Sequence, residues 1–291
     1  YRPGLIFTAR IPHHGSIITN QKNYAMARFL KLFQLPKRHC VAEMQIMAQR
    51  TRHVAGAGQR EAFDGGSRDG NPSPSTAYGV FVGIRAAVRH RLGRDDLKGL
   101  RVAIQGVGEV GFSLARHLKD AGAELWVTDI FEANQRRAVE QLGAHAVGQH
   151  EIFGLDVDVF APCALGAIVN PQTLEALRAP IIAGAANNQL ASPELAEQLR
   201  RRNCLYAPDY AINAGGIIDV CYERTWGSTA ALKAHIEGIE TTLAEIFQRA
   251  EAEGATTTAI ADRMARDGLR DGRILHAVEL AHAHGADIGM E

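Results

Sequence analysis

From residue 101 onward, short apolar runs alternate with longer amphipathic stretches. Strands are predicted near 101–105, 124–128, 157–161, 180–183 and 204–207. Helices are predicted between them, near 109–121, 132–142, 172–178 and 192–202. Ser192 followed by Pro193 reads as an N-cap and first-turn pair for the last of these. Regular alternation of strand and helix implies a parallel, doubly wound sheet of the α/β class. Upstream, Met26, Phe29, Leu30 and Phe33 have helical spacing within 22–34, and a second helix is expected over 41–51. Residues 56–74 are rich in Gly, Ser, Asp, Asn and Pro, which reads as a loop or domain boundary. A helix follows over about 76–92, with Val80, Phe81, Ile84 and Val88 on one face. After Asn213 the pattern is all helical. Its longest helix runs over about 228–253 on a stripe of Leu232, Ile236, Ile239, Leu243, Ile246 and Phe247, and two shorter helices end the chain.

The first strand-to-helix turn carries candidate chemistry. It reads Gly106-Val107-Gly108-Glu109-Val110-Gly111-Phe112, and the next strand ends at Asp129-Ile130. Gly106 suits a tight turn, Gly108 suits close approach of a pyrophosphate, and Gly111 suits close packing of helix on strand. Free N–H groups at a helix start attract phosphate. Asp129 stands 18 residues past Gly111, where a carboxylate can take the ribose hydroxyls of NAD. Ile130-Phe131-Glu132 follows, with no adjacent basic residue for a 2′-phosphate, so NAD is expected rather than NADP.

Composition narrows the partners. The chain has 291 residues, 46% of them hydrophobic, with 32 basic and 32 acidic side chains. That length allows two domains. Zero net charge argues against nucleic acid or a membrane surface as the main partner. Cys40, Cys163, Cys204 and Cys221 show no metal or redox spacing, so a reduced, cytoplasmic setting is expected. The twelve histidines show no metal-binding spacing, and no apolar run or leader pattern suggests a membrane or secretory segment. The chain opens on Tyr1 rather than Met, and further residues are expected before it.

Four segments together resemble the glutamate/leucine/phenylalanine/valine dehydrogenase family, most closely its leucine and phenylalanine types. They are Asn71 to Val80, the glycine loop with Asp129, Phe160 to Gly166, and Ala183 to Gln189 continuing through Tyr206 to Tyr210 and Ile212 to Gly216. The resemblance implies NAD-dependent oxidative deamination of a branched-chain or aromatic L-amino acid to its 2-oxo acid and ammonia. It implies that Thr76 bonds the nicotinamide carboxamide. It also implies that Cys163, Ala164 and Leu165, then Ala185, Ala186 and Asn188, form loops beside the cofactor, and that Asn213 reaches substrate and nicotinamide ribose. Read from the residues alone, Thr76 is equally a helix cap, Cys163 a small buried apolar residue, and Asn213 a turn residue. The resemblance further implies a homo-oligomer. It also implies three regions: 1–72 as the remainder of an N-terminal α/β substrate domain, 73–215 as a Rossmann domain, and 216–291 as helices packing back on both.

In the family a lysine and an aspartate of the N-terminal domain carry the proton chemistry. Here Lys22 to Phe29 resembles the helix after that lysine, yet residues 1–21 contain no lysine. Val41 to Met44, with Thr51 to Gly56, resembles the segment after the aspartate, yet Leu35-Pro36-Lys37-Arg38-His39 contains no acid. No catalytic residue is assigned. Two readings follow: an amino-acid dehydrogenase, or an NAD-binding chain without turnover.

Overall fold

The structure, a computed structural model, describes residues 70–225 and 228–270, together with Ile46, Gln49, Arg60–Glu61 and Ser67–Arg68. The elements in chain order are β1 (Arg60–Glu61), β2 (Ser67–Arg68), α1 (Ser73–Leu92), β3 (Arg101–Gln105), α2 (Glu109–Asp120), β4 (Glu124–Thr128), α3 (Glu132–Leu142), β5 (His145–Ala146), a 3₁₀ turn (Glu151–Gly154), β6 (Val159–Pro162), α4 (Pro171–Ala176), β7 (Ile181–Ile182), α5 (Glu194–Arg201), β8 (Leu205–Tyr206), α6 (Asp209–Ile212), α7 (Gly215–Thr225), α8 (Thr229–Glu253) and α9 (Thr257–Arg270).

Six strands form one parallel sheet in the order β5-β4-β3-β6-β7-β8. The chain winds outward one way from β3 and the other way from β6. The switch point therefore lies between these two strands, which is where such sheets bind ligands. Side chains alternate between two cores because successive residues of a strand face opposite ways. Val102, Ile104, Val127, Val159, Ala161 and Ile181 meet α1, α2, α3 and α8 on one face. Ala103, Phe160, Ile182 and Tyr206 meet the 3₁₀ turn, α4 and α5 on the other, through Ile152, Phe153, Leu174, Leu195 and Leu199. Burying each large side chain of this kind contributes about 1.5–3 kcal/mol.

The long C-terminal helix is core. Leu232, Ile236, Ile239, Leu243, Ile246 and Phe247 are all buried, and α8 lies along α1. Ser228 caps it, its Oγ accepting from the Ala231 N–H at 3.1 Å, and Gly254 ends it in the left-handed conformation.

Several boundaries differ from those expected. The stretch 56–74 contains β1 and β2, paired antiparallel. Helix α1 begins at Ser73 rather than residue 76. Pro74 fits its first turn, where no N–H is needed, and Asn71 Oδ1 takes the Ser73 N–H at 3.0 Å. Helix α1 is also buried over most of its circumference rather than on one face, with Ala77, Val82, Ala86 and Ala87 as enclosed as Val80 and Ile84, and only a stripe through Arg85 and Arg89 more exposed. Strand β5 was not expected; its two exposed residues are too few to show a period. Ser192 is not the cap of α5, which starts at Glu194 with no side-chain cap bond. Instead its hydroxyl bonds the Glu194 carboxylate and holds that acid below its ordinary range. The helix expected over 22–34, most of that over 41–51, and residues 271–291 lie outside the described residues.

Candidate dinucleotide-binding edge

Two sets of loops meet at the carboxyl edge of the sheet, and each is built differently. The first joins β3 to α2. Gly106 turns the chain with φ +91°, and its N–H bonds the Thr128 carbonyl at 2.8 Å. A Cβ on Gly111 would stand 1.9 Å from the Gly106 carbonyl oxygen and 3.2 Å from Cys163 Cβ, so only glycine lets α2 start this close to β3. Gly108 is the N-cap of α2 and supplies no side-chain bond to the helix start. Nothing lies within 4 Å of where its Cβ would be. Open space in front of uncapped backbone N–H groups fits a phosphate.

Asp129 closes this loop from the next strand. Its Oδ2 accepts from the Val107 N–H at 2.8 Å, and its Oδ1 accepts from the Phe131 N–H at 2.8 Å. Each carboxylate oxygen keeps a further acceptor site. Ile130 and Phe131 beside it are largely exposed. In the first turn of α2, the Phe112 N–H bonds the Gly108 carbonyl, and Glu109 and Val110 lie between them. One basic group that sequence reading missed flanks this loop. The Arg137 guanidinium stacks 3.9 Å above the Phe112 ring, with Nη2 3.5 Å from the Val107 carbonyl oxygen. Arg137 sits eight positions after Asp129, so adjacency along the chain does not reveal it.

The second set lies across the switch point. The Cys163 N–H bonds the Gln105 carbonyl at 2.7 Å, tying the end of β6 to β3. A Cβ on Gly106 would be 2.7 Å from Ala164 Cβ, so the two loops touch. Leu165 projects and is 64% exposed. Burial pushes the Cys163 thiol up to about 12, so it stays in its neutral form at ordinary pH.

After β7, Ala185, Ala186, Asn187 and Asn188 form a stitched loop. Gln189, fully buried, donates through Nε2 to the carbonyls of Gly184 at 2.8 Å and Ala186 at 2.9 Å. Asn188 is left-handed at φ 52°, and its carbonyl accepts from the Ala167 N–H at 2.7 Å. Its N–H donates to Asp209 Oδ2 at 2.5 Å. Asn213, at the end of α6, donates through Nδ2 to the Ala185 carbonyl at 3.2 Å and to Asn187 Oδ1 at 2.6 Å. It is therefore a bridge between loops, more than a turn residue.

Thr76 is not a helix cap. It lies inside α1, and its Oγ1 donates back to the Pro72 carbonyl at 3.0 Å. Its oxygen would stand 2.4 Å from a Cβ on Gly216, which places it against the start of α7, directly after Asn213. The neighbouring Ser75 hydroxyl donates to Asp219 Oδ2 at 2.5 Å, pinning α1 to α7. The edge thus gathers the glycine loop, Asp129, Cys163 to Leu165, Ala185 to Asn188, Asn213 and Thr76. Asn187, Gln189 and Asp209 were not singled out by sequence, because each acts only through a fold-dependent partner. The segments Lys22 to Phe29 and Leu35 to His39 lie outside the described residues.

Comparison with known proteins gives the family and the fold. The family model for Glutamate/Leucine/Phenylalanine/Valine dehydrogenase matches residues 65–129 and 127–285. The chain is similar to the leucine dehydrogenase of Geobacillus stearothermophilus, at 43% identity over 244 residues, covering 84% of this chain and 65% of that protein. Its structure is similar to the L-tryptophan dehydrogenase of Nostoc punctiforme, with a TM-score of 0.68 at 43% identity, covering 70% of this chain and 61% of that one. The hetero-hexameric glutamate dehydrogenase of Thermus thermophilus shares the fold, with a TM-score of 0.56 at 22% identity over 70% of this chain and 53% of that one. The chain thus spans about two thirds of the length of the relatives it matches.

Proposed function

The chain belongs to the glutamate/leucine/phenylalanine/valine dehydrogenase family, and from that premise we propose that it binds NAD at this edge in the service of oxidative deamination of a branched-chain or aromatic L-amino acid. The observation that carries the reading is the contact of two loop sets at the switch point, one with open space before an uncapped helix start and the other with amide side chains. NAD, when bound, supplies the hydride acceptor.

The chain's own groups divide the binding. The uncapped N–H groups at the start of α2 attract the pyrophosphate. Asp129, already held by two backbone N–H groups, presents its remaining acceptor sites to the adenosine ribose. The carboxylate disfavours a 2′-phosphate, and Arg137 is engaged with Phe112 and the Val107 carbonyl, which supports NAD over NADP. Thr76 donates its hydroxyl proton to Pro72, so its oxygen is left to accept from the carboxamide NH₂. Both Nδ2 protons of Asn213 are used within the protein, so its Oδ1 is the group left to accept from a ribose hydroxyl or the substrate ammonium. We read 73–215 as the dinucleotide-binding unit, with α7, α8 and α9 packing back on it.

A second reading is NAD binding without turnover. It is favoured by the lack of lysine in residues 1–21 and of any acid in Leu35 to His39, the places where the flanking resemblance would put the family's catalytic lysine and aspartate. A paired measurement separates the two. NADH binding is followed by its fluorescence, and NADH formation is assayed with L-leucine, L-valine and L-phenylalanine at alkaline pH. Binding with turnover supports the dehydrogenase, binding without turnover supports the second reading, and no binding overturns both.

A further inference from the structure

The loop at 185–188 depends on one carboxylate that belongs to neither the glycine loop nor the proposed cofactor contacts. Asp209 opens α6, directly after β8. Its Oδ2 takes the Asn188 N–H at 2.5 Å, and its Oδ1 takes the Tyr206 hydroxyl at 3.2 Å. No cation pairs with it among the described residues. Burial raises the acid above its ordinary pKa, and the Asn188 N–H opposes that rise. A partly buried carboxylate without a counter-ion is costly to keep unless its charge serves a bond.

The bond it serves is at a left-handed turn. Asn188 is non-glycine yet left-handed, a conformation that asparagine adopts more readily than other non-glycine residues. Its peptide is fixed on one side by Asp209 and on the other by the Ala167 N–H. The preceding residue, Asn187, accepts from Asn213. A chain of contacts therefore runs from Asp209 through the Asn188 peptide to Asn187 and on to the Asn213 amide.

We propose that Asp209 is a positioning residue that sets the 185–188 loop and Asn213 for the nicotinamide half of the dinucleotide. This rests on the NAD reading above. Asp209 has no link to the adenosine half, which is held by the glycine loop and Asp129 on β3 and β4. The carboxylate should therefore affect one end of the ligand and not the other.

The test compares two ligands on the full chain. NADH carries both halves, and ADP-ribose lacks the nicotinamide. Asp209→Ala is expected to weaken NADH by about tenfold or more, the effect of losing a charged acceptor on a backbone N–H, while ADP-ribose stays within about twofold. Asp209→Asn, which keeps an acceptor oxygen but not the charge, should fall between the parent and Asp209→Ala; it carries the test if the alanine variant does not fold. Equal weakening of both ligands, or no change in either, would overturn the inference while leaving the cofactor reading intact. If the unmodified chain binds neither ligand, the cofactor reading falls and the inference with it.

Discussion

On the β3–β4 side of the sheet edge, the loop is shaped mainly by how closely backbones approach; on the β6–β8 side, close approaches at Gly166 and Gly184 are joined by side chains that reach across the fold. The glycine loop needs an absent Cβ at Gly111, a positive φ at Gly106 and a single carboxylate, Asp129. The 185–188 loop needs Gln189 beneath it, Asp209 behind it and Asn213 beside it. Backbone-built loops tolerate no added atom but need few partners. Side-chain-built loops can lose a partner and relax. The two sides should therefore break in different ways.

The largest effect is expected at Gly111. Its alanine Cβ would meet the Gly106 carbonyl oxygen, a backbone atom that cannot turn aside, so α2 must move off β3. Overpacking of this kind costs about 1–3 kcal/mol. Urea unfolding of Gly111→Ala measures it, and a midpoint equal to the parent's would refute the close-approach account. Asp129→Ala comes next. It should weaken NADH by about 1–3 kcal/mol, the cost of leaving polar partners unpaired, and weaken ADP-ribose by the same factor. That equal loss is the reverse of the split expected for Asp209. A D129A variant that spared ADP-ribose would erase the distinction between the two sides.

The same contrast explains what the sequence makes legible. The glycine loop and Asp129 are readable because turn, helix start and acid follow one another within 24 residues, 106 to 129, and each acts through local backbone. Five of the six sheet strands show as apolar runs, and the long helix α8 shows its stripe over 25 residues. Strand β5 escapes because two exposed residues carry no pattern. Thr76 and Asn213 could be named only through family resemblance, since what makes them neighbours is the packing of α1 on α7. Asp209 stands in a quoted motif, yet nothing local says that its oxygen meets an N–H 21 residues upstream. Arg137 reaches the Val107 carbonyl from 30 residues away for the same reason.

The smallest effect concerns two thiols at different distances from the glycine loop. Cys163 follows β6 and packs against the glycine loop, and Cys204 precedes β8 at the far end of the sheet. Desolvation pushes both up to about 12, against an ordinary thiol near 9. The sign follows directly: a raised thiol pKa means that the neutral form persists as pH rises, so at pH 8.5 each holds under about 0.1% reactive thiolate. Cys221 is exposed. Iodoacetamide at pH 8.5, read by peptide mass spectrometry, should therefore label Cys221 ahead of Cys163 and Cys204. In Gly111→Ala the displaced helix should expose Cys163, whose Cβ lies 3.2 Å from the added methyl position, and should leave Cys204 protected. Equal labelling of both half-buried thiols in that variant would mean that the disturbance spreads through to the far strand β8, and the two sides would then yield as one unit.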